Sequence, residues 1–136
     1  MGNGDASERE VVNRLEDEMD WRALRAPSSG SATERERPDV LAGRNGRTVV
    51  FEVKKSSGDP IYIGHEEVEA LREYGEDFGC DPADVRLAIR WKSLSLQDAT
   101  IYCPKPGDLH HTEKYLRVKY EDCKGDSFPT LVDLCE

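Results

Sequence analysis

The dipeptide Asn45-Gly46 constrains this chain more than any other feature. Both central positions of a tight two-residue hairpin turn need φ > 0, which asparagine tolerates and glycine adopts freely. Apolar, β-branched runs flank it: Val40-Leu41-Ala42 before, Thr48-Val49-Val50-Phe51 after. With Asn45 and Gly46 as the loop, the register counts outward. Arg44 faces Arg47, Gly43 faces Thr48, Ala42 faces Val49, Leu41 faces Val50, Val40 faces Phe51 and Asp39 faces Glu52. That last pair falls at a non-hydrogen-bonded position, where Cα atoms sit about 4.5 Å apart. Two carboxylates held opposite each other repel in an empty sheet. Together they suit a hard divalent cation such as Mg²⁺, which takes one or two carboxylates plus water and phosphate oxygens. Lys54, two residues past Glu52, points to the same face. Asp39, Glu52 and Lys54 on one face are equipment for hydrolysing a phosphodiester. A buried salt bridge would account for Glu52 and Lys54, but not for Asp39 beside them.

The second strand of the hairpin is apolar on both faces, with Val49, Phe51 and Val53 one way and Val50 the other. It is therefore expected at the centre of a sheet with layers on both sides. Residues 1–6 are polar and expected to fray. Ser7-Glu8-Arg9-Glu10 fits a capping box, predicting a helix from Glu8 to about Met19 with Val11, Val12, Leu15 and Met19 on its apolar stripe. Glu8, on the core-facing side of the first turn, is either a partner of the helix dipole or a site residue. Trp21 to Arg25 reads as a strand. Residues 27–31 (Pro-Ser-Ser-Gly-Ser) and the charged stretch Thr33 to Arg37 read as a loop, either solvated or holding phosphates. Ile61 to Ile63 is a short strand. His65 to Phe78 is a helix with Val68, Leu71, Tyr74/Gly75 and Phe78 on one side, closed by Gly79. Val85–Trp91, Thr100–Tyr102 and Tyr115–Tyr120 are later strands. Residues 121–136 are weakly patterned, and a poorly ordered tail is expected there. The order predicts an α/β fold, a central mixed sheet flanked by helices, in a single domain over 1–136.

Charge enters as a counter-argument. The chain carries 28 acids against 19 bases, a net −9, with 12 arginines but only 7 lysines. Nucleic-acid proteins are normally basic, because phosphate contacts dominate affinity. The composition therefore fits either an ordinary acidic protein that never meets DNA or one adapted to strong salt, where screening removes self-repulsion. No apolar run is long enough to cross a membrane and no signal peptide is seen, so a cytoplasmic location is expected. Cys80, Cys103, Cys123 and Cys135 are scattered without a CxxC pair, which argues for free thiols and against zinc. His65, His110 and His111 lack partners at metal spacing and read as surface or core residues.

Pro38-Asp39, twelve residues, then Glu52-Val53-Lys54 resembles the PD-(D/E)xK nuclease signature. The stretches GDASEREVVNRLEDEMDWRALRAPSSGSATERERPDVLAG, VVFEVKKSS and IYIGHEEVEALREYGEDFG resemble the archaeal Holliday junction resolvase family (Hjc type) over about residues 4 to 91. The resemblance implies a restriction-endonuclease-like core. It implies an active site of Glu8, Asp39, Glu52 and Lys54, with Glu8, Asp39 and Glu52 holding Mg²⁺ (Mn²⁺ as a substitute). It implies DNA contacts from Arg9, Arg25, Ser29, Gly30, Ser31 and Lys55, and a homodimer acting on branched double-stranded DNA. Tyr62 and Gly64 match the family's Tyr-x-Gly before the second helix. The activity implied is resolution of four-way junctions by paired nicks. Alternatives are another PD-(D/E)xK nuclease of restriction or repair type, or a catalytically silent DNA-binding or assembly module. The chain departs from the family at Glu66 and Glu67 and at Glu34 and Glu36, acids where bases are expected. From Lys92 onward no family motif carries over.

Overall fold

The computed structural model describes residues 2–26, 37–92, 99–124 and 128–136. The hairpin forms as its turn demands: Asn45 has φ 50° and Gly46 φ 84°, and strands β2 (Val40–Arg44) and β3 (Arg47–Ser56) pair in the expected register from Arg44–Arg47 to Val40–Phe51. β1 (Arg22–Arg25) adds antiparallel to β2, and β5 (Val85–Trp91) adds parallel to β3. The sheet order β1-β2-β3-β5 puts β3 inside a mixed sheet, with Val49, Val50 and Phe51 fully buried.

Alternation along β3 sorts the core into two layers. Val49 and Phe51 pack with Val11 and Leu15 of helix α1 (Gly2–Glu18), with Trp21, and with Leu131 and Leu134 of α4 (Leu131–Cys135). Val50 packs with Val68 and Leu71 of α2 (His65–Asp77), and with Ile63, Leu116 and Val118 of a second sheet. That sheet is a small antiparallel one of order β4-β7-β6, from Ile61–Gly64, Tyr115–Val118 and His110–His111. The strand expected at Ile61–Ile63 forms but pairs with Tyr115–Val118 in this second sheet rather than joining the main one.

The remaining differences from expectation have local causes. α1 begins at Gly2, so Ser7 is buried within the helix rather than capping it. Glu10 does not reach back to its start; its carboxylate accepts from Arg90 at 2.6 Å and from Arg14 at 3.2 Å. Residues 100–102 run along the outer edge of β5, where Ile89 and Tyr102 exchange backbone bonds of 2.8 and 2.9 Å. Only isolated bridges form there, since Pro104 offers a carbonyl but no N–H to extend a ladder. The strand expected through Tyr120 ends at Val118, and Tyr120–Lys124 form a short helix, α3. The C-terminal segment differs from the loose tail expected. Thr130 and Asp133 cap α4 reciprocally at 3.1 Å, and the carbonyl of Cys135 accepts the Trp21 indole N–H at 2.8 Å.

α2 lies close enough to the sheet that one of its positions must lack a side chain. A Cβ on Gly75 would stand 2.6 Å from Cγ2 of Val85 and 3.4 Å from Cγ2 of Val50. Both are stiff β-branched residues. Gly75→Ala is therefore expected to destabilise the protein by about 1–2 kcal/mol, overpacking outweighing the gain in helix propensity. Urea denaturation checks this; an unchanged or raised midpoint would contradict the close packing.

Candidate active site

Beyond Phe51, β3 leaves the fully apolar interior while still covered on both faces. Glu52 and Lys54 follow Val50 onto the α2 face; Val53 and Lys55 follow Phe51 onto the α1 face. Asp39 arrives from β2 differently from the direct pairing with Glu52 expected of it. The ladder stops at Val40–Phe51. The Asp39 amide donates to the Phe51 carbonyl at 2.9 Å, and its Oδ2 accepts from the Val53 amide at 2.8 Å. Asp39 thus straddles Glu52 along the backbone, and the two carboxylates remain neighbours.

Burial governs their chemistry. Glu52 is 6% exposed. Desolvation, then the charge of Asp39, push its pKa up to about 10, and Lys54 offsets this only in part. Asp39 is raised as well, by burial, against the pull of the Val53 amide and of Lys54. Burial works against the charge of Lys54, yet the hydrogen bond and charge of Glu67, with Glu52 and Asp39, hold its pKa above the ordinary lysine value. Glu67 is likewise opposed by burial, but Lys54 and the Gly64 amide bring it below the usual glutamate range. Three carboxyl groups face one ammonium, so Glu52 retains a proton. A divalent cation would reverse that balance. The donors present, two buried carboxylates with hard oxygen atoms, fit Mg²⁺ or Mn²⁺.

The expected third ligand does not join them. Among the described residues no three His, Cys, Asp or Glu side chains form a metal-holding group. Glu8 belongs to α1, on the other face of the sheet. There its Oε1 accepts from Nε of Arg25 at 3.3 Å, and Arg25 is paired with Val40, whose side chain lies in the α1 layer. Arg9 and Lys55 are on this side too, lining a shallow cleft of about 410 Å³ with Arg14 and Arg90. Ser29, Gly30 and Ser31 lie outside the described residues. Tyr62 is exposed and edge-packed on Tyr115, ring centroids 5.9 Å apart.

Sequence reasoning missed Glu67. Its Oε2 accepts the Gly64 amide at 3.0 Å, and its Oε1 takes a short hydrogen bond from the Lys54 ammonium. The signal was present: glycine is an acceptable helix N-cap, and a glutamate three residues later reaches back to the cap amide. From the sequence alone the Glu66-Glu67 pair reads only as acids where bases are expected.

An aspartate and a Glu-x-Lys set at the end of a hairpin, in a mixed sheet with a helix on each face, is the arrangement of the PD-(D/E)xK nuclease class. Within that class, the family model for the archaeal Holliday junction resolvase (hjc) matches residues 1–136, and the chain belongs to that family. It is 38% identical over 77 residues to the crossover junction endodeoxyribonuclease Hjc of Sulfurisphaera tokodaii, covering 56% of this chain and 53% of that protein. It is 35% identical over 93 residues to the protein of the same name from Methanocaldococcus jannaschii, covering 68% and 62%. The chain thus spans just over half to about three fifths of the length of these curated relatives. The solved structure of Archaeoglobus fulgidus Hjc, a Holliday junction resolvase from an archaeal hyperthermophile, matches with a TM-score of 0.77 at 21% identity. It covers 97% of this chain and 99% of that one, so the fold is shared throughout. Metal dependence is consistent with the family.

Raised folded-state pKa values on Asp39 and Glu52 mean that the native state holds more protons than the unfolded chain from the ordinary carboxylate range up to about 10. Without metal, stability should therefore fall as pH rises through that window, by on the order of 4 kcal/mol between about pH 5 and about pH 8, about 1.4 kcal/mol per pH unit for the proton on Glu52. Glu52→Gln should flatten the fall and stabilise the metal-free protein at neutral pH. Urea titrations in a chelator check both, and a flat parental profile would contradict the buried pair.

Proposed function

We propose that this protein is a metal-dependent endodeoxyribonuclease that resolves four-way DNA junctions by paired nicks. The observation that carries this is the buried Asp39–Glu52–Lys54 cluster in a chain of the resolvase family. Asp39 and Glu52 would hold the cation, Mg²⁺ with Mn²⁺ as a substitute. When bound, it supplies Lewis-acid polarisation of the scissile phosphate and a bound water of lowered pKa. The Lys54 ammonium offsets negative charge growing on the phosphate, in a site where low dielectric strengthens the effect. Glu8 orients Arg25. Arg25, Arg9 and Lys55, with Ser29, Gly30 and Ser31, contact the DNA backbone. Such contacts read shape and charge rather than base edges, so little sequence preference should follow.

Among the described residues the chain carries one such cluster, and two coordinated nicks need two sites on one particle, so the working form is a homodimer. The net charge of −9 makes it a salt-adapted, halophilic member of its family. Its four cysteines are free thiols, as suits the cytoplasm. Among the described residues no helix is long and apolar enough to cross a membrane.

In Mg²⁺, labelled four-way junctions should be nicked in pairs near the branch in preference to linear duplex of the same sequence. Asp39→Asn should lower cutting by at least about 100-fold while junction binding persists or improves, since a carboxylate facing phosphate is lost. Equal cutting of linear duplex would move the protein to the restriction-type reading. Parental cutting by Asp39→Asn would sink the assignment of the site.

Across a KCl series, junction cutting should rise up to about 0.5 M as self-repulsion is screened. Light scattering at that salt should give twice the chain mass of 15.3 kDa. A steady loss of cutting with added KCl would remove the salt-adapted reading, and scattering at the chain mass would remove the dimer.

A further inference from the structure

Lys54 is held from outside its own strand. Its ammonium is 4.0 Å from the nearest Glu52 oxygen but makes its short hydrogen bond to Oε1 of Glu67. Glu67 is fixed in turn at its other oxygen, which accepts the Gly64 amide at 3.0 Å. A Cβ on Gly64 would stand 3.4 Å from that same oxygen, an ordinary contact, so the cap is closely packed without depending on glycine. The helix that carries Glu67 is anchored next door by Val68 and one turn on by Leu71, both buried against the sheet. Gly64 itself ends a strand paired to Tyr115. From the second sheet to Lys54, each link is a hydrogen bond or a buried contact.

Resting on the nuclease reading above, we propose that Glu67 is a positioning residue of the active site. It holds the Lys54 ammonium where a scissile phosphate would meet it, and draws it away from Glu52, leaving that carboxylate to the cation. Glutamine at 67 would keep an oxygen for the Gly64 amide and so keep the helix cap, while losing the charge that grips Lys54. A glutamate that served only to cap α2 would tolerate that change. One that ligated the cation directly would act independently of Lys54.

A double-mutant cycle separates these roles. Single-turnover cutting of a labelled four-way junction in Mg²⁺ is measured for the parent, Lys54→Ala, Glu67→Gln and the double variant. Alongside it, thermal melting and Mn²⁺ binding by the protein alone are recorded. Glu67→Gln should melt near the parent, bind Mn²⁺ as the parent does, and cut about 100-fold more slowly. The double variant should cut no more slowly than Lys54→Ala. Parental cutting by Glu67→Gln, losses that multiply in the double variant, or loss of Mn²⁺ binding would each overturn the positioning role alone. A parent protein that leaves the junction uncut would overturn the nuclease reading, and the positioning role with it.

Discussion

Burying Glu52 beside Asp39 is the interaction on which the rest of the site depends. A lone carboxylate on the surface stays ionised and attracts nothing in particular. Here the strand that carries Glu52 is covered on both faces, so the group loses its water and meets a second acid in the same space. The outcome is a carboxyl that keeps its proton to about pH 10. Such an arrangement costs stability unless a cation repays it. Lys54 and Glu67 do not cancel the cost, because Glu67 brings a further negative charge along with the lysine it grips. The cluster is consistent with a fold that tolerates strain at one strand end because the two layers around β3 secure that strand elsewhere.

Alternation along β3 also divides labour between the faces of the sheet. The α2 face gathers Asp39, Glu52, Lys54 and Glu67, the groups suited to a cation and a phosphate. The α1 face gathers Arg25 on Glu8, and Arg90 and Arg14 on Glu10. These pairs hold guanidinium groups in fixed orientations without leaving their charges bare. In so acidic a chain this matters: bases tethered to acids keep their direction whatever the sign of the net field.

The parts of this structure legible in the sequence were those fixed by local geometry. Asn45-Gly46 leaves the backbone little choice of turn, and every hairpin pair from Arg44–Arg47 to Val40–Phe51 follows by counting. The period-two pattern placed β3 centrally and put Glu52 and Lys54 on one face. Where partners lie far apart in sequence, counting could not reach. Asp39 was expected to extend the ladder, but its side chain competes for the Val53 amide and ends it. Ser7-x-x-Glu10 has the pattern of a helix start, but Arg90, eighty residues on, claims the glutamate. Glu67, an acid where a base is expected, takes its role from the Gly64 amide and the Lys54 ammonium that share it, one three residues and the other thirteen residues away. The weakly patterned C-terminus gave little sign that Leu131 and Leu134 complete the α1 layer, since two buried leucines in a five-residue helix make no period to read.

The proposed function places the cation on Asp39 and Glu52, with Glu8 across the sheet outside its shell. Mn²⁺ binding followed by the paramagnetic resonance of the free ion tests this directly. The parent and Glu8→Gln should bind Mn²⁺ alike, while Asp39→Asn and Glu52→Gln should each weaken binding by at least about tenfold, a loss of about 1.4 kcal/mol. Undiminished binding by Asp39→Asn, or a loss in Glu8→Gln as large as in Asp39→Asn, would contradict the account.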